Sequence, residues 1–342
     1  MEVASTPERE AAVTISGLHP DLLKHILHLL DGAALAAIGS TATEFRDASG
    51  DQMLWRRLVN ESWPATSETE LHRLIASTPG GFRAFYADSC PLVSADSVLP
   101  APEGPQPSPV DLVSIVDVRH RGRIIFSKVL YGVPLPESGE DPQRVEDWFL
   151  DSPFRIDALD TKDDPPVISV AGGDCTGDEV RRRLAEDVQM SWIVLDLTRG
   201  RAVNLTSWTP LEVERYWYSD LEYQIKFGTV LPLERECIYC AVSVRCGGCE
   251  EGELKVREIA MTMEDVEGRN LLGRESMDIF GRALGSVRRK GEEVLKRKYA
   301  EFLRTRSENK ERKAKRDKRI DMACVLSGVS AFVAFCAFMI IR

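Results

Sequence analysis

Residues 18–58 read LHPDLLKHILHLLDGAALAAIGSTATEFRDASGDQMLWRRL, and their apolar spacing is that of short helices laid against one another. Pro20 suits the first turn of a helix, where its missing N–H costs nothing, and Leu22, Leu23, Ile26, Leu27 and Leu30 then recur at helical spacing. Asp31-Gly32 breaks that helix. A short Ala-rich helix follows with Leu35 and Ile38 inward, and a third segment from about Asp51 presents Met53, Leu54, Trp55, Leu58 and Val59. So small a helical cluster has too little interior to hide all of these side chains, and part of its apolar surface is expected to await a partner. Each Leu or Ile fully covered contributes roughly 1.5–3 kcal/mol, so about four or five of them support stable docking after association costs. The alternative is a helical core without a partner.

At this point the stretch resembles the F-box, the motif that docks a substrate receptor onto the Skp-type adaptor of cullin ubiquitin ligases. Leu18, Leu22, Leu23, Ile26, Leu27, Leu30, Leu35, Ile38, Leu54 and Trp55 fall on the family's apolar positions without a gap. The sequence departs where the family usually has Leu-Pro, the proline standing one place late at Pro20, and where the family has Trp, since Phe45 stands there. The resemblance implies an adaptor-binding set made of those apolar residues together with Pro20. It also implies the Skp-type adaptor and, through it, cullin as partners. The charged ubiquitin-conjugating enzyme is then brought by other subunits, and this chain contributes position, not catalysis.

The other end carries the second strong signal. Residues 322–341, MACVLSGVSAFVAFCAFMII, hold no charge over twenty positions, which at helical rise is roughly 30 Å, the hydrocarbon thickness of a bilayer. Before them, residues 304–319 hold nine Lys or Arg against three acids, so the positive-inside rule keeps that side cytosolic. The expectation is a single-pass, tail-anchored protein with a cytosolic N-terminal body, at the endoplasmic reticulum or another endomembrane. A buried C-terminal core helix is the competing reading, since Ser327, Gly328 and Ser330 dilute the hydrophobicity.

Charge separates the body from that tail. Residues 288–342 contain 16 basic and 7 acidic residues, which leaves 28 basic and 47 acidic for the rest and gives net charges of +9 and −19. An acidic body makes nucleic acid an unsuitable partner, whereas the basic stalk suits anionic lipid head groups. Residues 1–16 have no apolar core that would make a signal peptide, and the eight cysteines are irregularly spaced, as expected of a reduced cytosolic body.

Between the ends, residues 94–109 carry prolines at 100, 102, 105, 107 and 109 and read as an extended linker. Beyond it, 110–118 with 123–130 and 192–198 with 202–208 read as hairpins, and further strands are expected at about 215–230, 236–246 and 253–265. Asp178 to Val188 is the one short helix evident among them, which predicts an antiparallel sandwich or barrel-like domain. From Arg274 to Arg319 the pattern is helical, with Phe280, Leu284, Val287, Val294, Leu295, Tyr299, Phe302 and Leu303 near one stripe. The fold class is therefore α+β: an N-terminal three-helix F-box cluster, an antiparallel β-rich middle, a long C-terminal helix and one transmembrane helix. The plan runs 1–15 disordered, 16–63 F-box, 64–93 helical extension, 94–109 linker, 110–273 substrate-recognition domain, 274–319 stalk and 322–341 span.

Signals of other chemistry are weak. Cys237, Cys240, Cys246 and Cys249 could supply four thiolates to zinc, but the gap between the pairs is short, and residues three apart on a strand point to opposite faces. No metal or cofactor is therefore expected. His25 and His28 share a helical face without a ligand beside them, Asp160, Asp163 and Asp164 read as a loop, and no G-x-S-x-G, P-loop or H-E-x-x-H occurs. Trp148, Trp192, Trp208 and Trp217 fit core packing better than an aromatic cleft. The Leu18-His19-Pro20-Asp21 opening, the β-rich middle and the hydrophobic tail together look like a plant F-box group. The implied function is a membrane-anchored, non-catalytic substrate receptor whose protein substrate the sequence does not name. The rival is a tail-anchored scaffold or ligand-binding β protein acting outside a ligase.

Overall fold

The computed structural model describes residues 19–90, 92–93, 98–101, 104–132, 142–170, 176–216, 222–234, 236–250, 252–286, 288–289 and 291–341. The chain divides into two compact units, Met1–Asp88 and Ser89–Arg342. In the first, α1 (Pro20–His28), α2 (Gly32–Gly39), α3 (Thr43–Ser49) and α4 (Gln52–Ser62) are followed by a 3-10 turn at Pro64–Ser67, α5 (Thr69–Ser77) and α6 (Gly81–Ser89). Caps explain the boundaries. The Asp31 carboxylate accepts from the Ala34 N–H at 2.7 Å and the Asp51 carboxylate from the Met53 N–H at 2.9 Å, each satisfying a donor that its helix leaves open. α3, TEFRDAS, is an addition to the three expected helices; it is too short and polar to write an apolar stripe.

The second unit holds β1 (Leu92–Val93), β2 (Leu112–His120), β3 (Arg123–Tyr131), α7 (Pro142–Asp151), β4 (Arg155–Asp157), β5 (Val167–Ser169), α8 (Gly177–Asp187) and β6 (Val188–Asp196). β7 (Arg201–Asn204), β8 (Glu212–Arg215), β9 (Glu222–Pro232), β10 (Cys237–Glu250), β11 (Glu253–Glu264), α9 (Gly273–Gly285), β12 (Arg288–Arg289) and α10 (Glu292–Ile341) complete it. All pairings are antiparallel. The larger sheet runs β4-β11-β10-β9-β8 with β5 also on β11, the smaller runs β3-β2-β6-β7, and β1 pairs with β12. One core serves both sheets, with Val118, Trp192 and Val194 from one and Phe227, Val242 and Met261 from the other. β10 shows the period-two logic: Ile238, Cys240, Val242, Val244 and Cys246 enter that core, while Tyr239 faces α10.

Three expectations need revision. The helical pattern read from 274 to 319 is two helices separated at 286–291. Phe280 and Leu284 of α9 belong to the sandwich core, whereas Tyr299 and Phe302 of α10 form a separate cluster with Val230 and Tyr239. Val287 lies outside the described residues. A second helix, α7, joins α8 in the middle region; it begins at Pro142 and buries Val145 and Phe149, an apolar spacing too brief to stand out. The proline-rich segment is extended but not free. Leu99 is buried and donates its N–H to the Pro232 carbonyl at 2.8 Å, and Pro109 is buried at the start of a 3-10 turn.

α10 is a continuous helix of 50 residues, about 75 Å long. Its first turns bury Leu295, Tyr299 and Phe302, and Arg306 pairs with Glu264 at 2.8 Å. Past that point nearly all described side chains are exposed, including Val325, Phe332 and Ile340 in the apolar stretch, with Asn309 and Cys336 half-buried. The helix is long and apolar enough to cross a membrane, and none of its apolar window is buried in the protein.

Gly228 is the tightest point of the larger sheet. Its φ is +137°, it pairs with Ala241, and a Cβ there would overlap the Cys240 carbonyl oxygen. Gly228→Ala is expected to destabilise the sandwich by about 2 kcal/mol or more, because strain and backbone overlap add. Denaturant unfolding of the full chain, with hydrogen exchange at β9 and β10, checks this; a wild-type midpoint contradicts it.

Candidate adaptor-docking surface

α1 is nine residues long, too short to persist alone, so its geometry is set by what it buries. His19 caps it, Nδ1 accepting from the Asp21 N–H at 3.3 Å, and Pro20 opens it. Leu27 turns inward and is 1% exposed, and Leu35 at 0%, Leu54 at 1% and Trp55 at 3% are buried likewise. The Trp55 indole N–H donates to the Ser49 carbonyl at 2.7 Å, which satisfies its only polar atom inside the cluster. Glycine allows the closest approach, since a Cβ on Gly32 would overlap the Tyr86 ring.

The opposite edge is uncovered. Leu22 is 56% exposed, Ile26 41%, Leu29 76% and Met53 of α4 52%. Steps of four and three residues put Leu22, Ile26 and Leu29 on one side of α1. Lys24 and Asp51, 3.6 Å apart, tie α1 to the start of α4. His28, Met53, Arg56, Arg57, Asn60 and Glu61 line an open hollow of about 460 Å³. Arg57 is fixed there by Glu61 at 3.0 Å and by the Leu30 carbonyl at 3.4 Å.

The structure thus divides the residues predicted to bind an adaptor. Leu27, Leu35, Leu54 and Trp55 are core; Leu23, Leu30 and Ile38 are half-buried; Pro20, Leu22 and Ile26 are exposed; Leu18 lies outside the described residues. Leu29 and Met53 are exposed apolar members that the sequence reading left out of that set. The signal was present, since Leu29 follows Ile26 by three positions and Met53 abuts Leu54-Trp55.

The other candidates do not converge on a reaction centre. Cys240 and Cys246 point into the sandwich core, Cys237 packs on the opposite face near α10, and the Cys249 side chain lies outside the described residues. Burial pushes the Cys240 thiol up, and burial together with Glu222 pushes Cys246 up to about 12, so both stay as inert thiols. No group of three or more His, Cys, Asp or Glu placed to hold a metal occurs among the described residues. Asp163 pairs with Lys128 at 2.6 Å and accepts from the Asp160 N–H, which ties that acidic loop to β3. Trp192 is core, Trp148 is 69% exposed on α7, Trp208 is half-buried with the Arg119 guanidinium over its ring, and Trp217 lies outside the described residues.

No family model matches the chain, and no solved structure matches it. Three curated proteins of Arabidopsis thaliana are similar along nearly its whole length. One, named an F-box protein, is 33% identical over 344 residues, covering 96% of this chain and 97% of the relative. A second F-box protein is 31% identical over 329 residues, covering 92% and 87%. The third, named a probable F-box protein, is 31% identical over 343 residues, covering 98% and 97%. Such coverage carries the similarity through the sandwich and the C-terminal helix as well as the first unit.

The two classes of apolar residue should respond differently to truncation. Leu27→Ala is expected to cost about 2–5 kcal/mol of stability, as for a buried Leu that leaves a cavity. Leu22→Ala and Leu29→Ala are expected to stay within about 0.5 kcal/mol. Denaturant melts followed by tryptophan fluorescence separate the two; comparable losses at all three sites would remove the distinction between core and docking edge.

Proposed function

The chain belongs to the F-box protein family, and on that premise we propose that it is a substrate receptor of a Skp–cullin–RING ubiquitin ligase. The Skp-type adaptor docks on the edge of α1 and α4, and the β-rich unit selects a protein substrate. One observation carries the reading: a small helical unit that completes its own core still leaves Leu22, Ile26 and Leu29 uncovered along one side of α1, and Met53 uncovered on α4. Covering their remaining surface contributes about 1 kcal/mol each, with Pro20 and half-buried Leu23 at the margin. The adaptor carries cullin and, through the RING subunit, the conjugating enzyme. The receptor then acts by raising the substrate's local concentration and needs no catalytic group.

Anchoring is the second half of the proposal. The apolar stretch of α10 finds no cover in the protein, and the cationic run before it favours a cytosolic body, so the proposal places the anchor in the endoplasmic reticulum or another endomembrane. A receptor held there samples membrane-borne targets at raised effective concentration.

Leu22→Asp with Ile26→Asp is expected to abolish co-purification of the adaptor and cullin while circular dichroism stays unchanged. A carboxylate forced into such an interface costs several kcal/mol, and these side chains support nothing inside the unit. Wild-type recovery of adaptor by the double variant would sink the ligase reading. Deletion from Asp321 onward should move the protein to the soluble fraction and leave adaptor recovery intact. Carbonate extraction and protease protection of the full chain in microsomes give the direct check, since a chain washed off at high pH or a body shielded from protease contradicts the proposed anchor.

A further inference from the structure

A cationic cleft lies where α10 leaves the sandwich; five of its cations belong to the run that orients the proposed anchor, but neither that orientation nor adaptor docking requires them to be gathered into a cleft. It has a volume of about 840 Å³ and lies between α10 and the turn 265–269, within the usual size range of small-ligand sites. Six cations line it, namely Arg269, Arg306, Lys310, Arg312, Lys313 and Arg316, with one acid, Glu267, in the lining and three more, Glu264, Asp265 and Glu275, paired with Arg306 and Arg269 behind it. We infer that this cleft binds a compact anion bearing several phosphate groups.

Two of the arginines are set in place before any ligand arrives. Arg306 pairs with Glu264 at 2.8 Å and lies so close to the turn that a Cβ on Gly268, whose φ is +82°, would come within 2.8 Å of its Nη2. Arg269 is held by Asp265 at 3.1 Å and by Glu275 at 3.1 Å. These carboxylates engage Nε, Nη1 and Nη2 of Arg269 and Nη1 of Arg306, so the two guanidiniums are fixed walls of the cleft and the uncompensated charge is left to the other four cations. Arg312 and Arg316 have only distant acids, Glu308 at 4.0 Å and Asp317 at 3.9 Å. Lys310 and Lys313 are exposed and pair with no carboxylate among the described residues. Arg306, Lys310 and Lys313 follow at steps of four and three, so they continue the helix side that seats Tyr299 and Phe302 on the sheet. The surrounding body is acidic, with a net charge of −19 over residues 1–287, so this cleft is a local reversal of sign that draws anions to one place.

Distance bears on the source of the phosphates. Along the helix Arg306 lies about 24 Å and Lys310 about 18 Å before Met322, where the apolar stretch begins. The head-group zone on each side of a bilayer is only about 5–8 Å deep. The floor of the cleft is thus beyond simple head groups, which favours a diffusible polyphosphate over a lipid; a head group with phosphates projecting far from the surface reaches its membrane-side rim at Arg316.

The test uses the full chain in neutral detergent, titrated calorimetrically with inositol hexakisphosphate as the probe. Wild type should bind. Lys310→Glu with Lys313→Glu should weaken binding about tenfold or more, since a four-unit change in charge at screened surface sites is worth at least about 1.4 kcal/mol. Lys318→Glu with Arg319→Glu makes the same charge change on the same helix outside the cleft and should stay within about twofold. Circular dichroism confirms that the helix survives. No binding by wild type, equal losses in the two double variants, or binding of a phosphopeptide alone would overturn the proposal. Repeating the titration in nanodiscs with and without phosphatidylinositol bisphosphate identifies the source. Competition by the lipid supports a head group in the cleft, and unchanged affinity supports a diffusible anion.

Discussion

Tyr239 is buried where the larger sheet meets α10, and the attachment of the tail depends on that contact. Its ring lies 5.0 Å from Tyr299 and 5.6 Å from Phe302, and its hydroxyl donates to the Phe227 carbonyl at 2.7 Å. Tyr299 donates in turn to Glu212 at 3.0 Å. Burial opposes the charge on Glu212, yet Lys226 and Tyr299 hold its carboxyl below the ordinary range. Aromatic packing supplies the attraction there, the Tyr239 hydroxyl is satisfied within the sheet, and the Tyr299–Glu212 hydrogen bond fixes which turn of α10 is seated, and so its register. The placement of Arg306 beside Gly268, and with it the cationic cleft, follows from that register.

A different constraint governs the first unit. Its core has room for Leu27, Leu35, Leu54 and Trp55, and once these are inside, the other edge of the same α1 helix has nothing left to pack on within its unit. Burial and exposure on one short helix are therefore linked. The inward Leu27 makes α1 rigid, and rigidity presents Leu22, Ile26 and Leu29 as a fixed apolar edge at little ordering cost on binding.

Much of this was legible in the residues. Strong apolar periodicity located α1, α2 and α4, alternation located β2, β3, β6, β9, β10 and β11, and twenty uncharged positions located the exposed end of α10. What failed shares a cause. The break between α9 and α10 was missed because both helices write the same period; which cluster Phe280 or Phe302 joins is decided by tertiary packing that a stripe does not encode. The set expected to bind an adaptor mixes core and exposed residues for a related reason. Leu22 and Leu27 satisfy the same family pattern, but only the fold determines which one is buried and which faces outward.

α10 shows how one secondary structure serves three environments in sequence. Over residues 292–303 it is an amphipathic helix docked on a sheet; over 304–321 it is charged on most sides and supported by pairs such as Glu311–Lys315 at 3.6 Å; over 322–341 it is apolar all round. No glycine or proline interrupts the first two stretches, so the helical backbone continues while the side chains change the solvent they suit. This continuity couples distance to orientation. With the last stretch in a bilayer, as proposed, the sandwich edge at Arg306 stands about 24 Å from the hydrocarbon, held by a stiff helix and not by a flexible tether. Such a stalk restricts which heights above the membrane the β-rich unit can sample, so it narrows the reachable substrates by geometry before any contact surface discriminates among them.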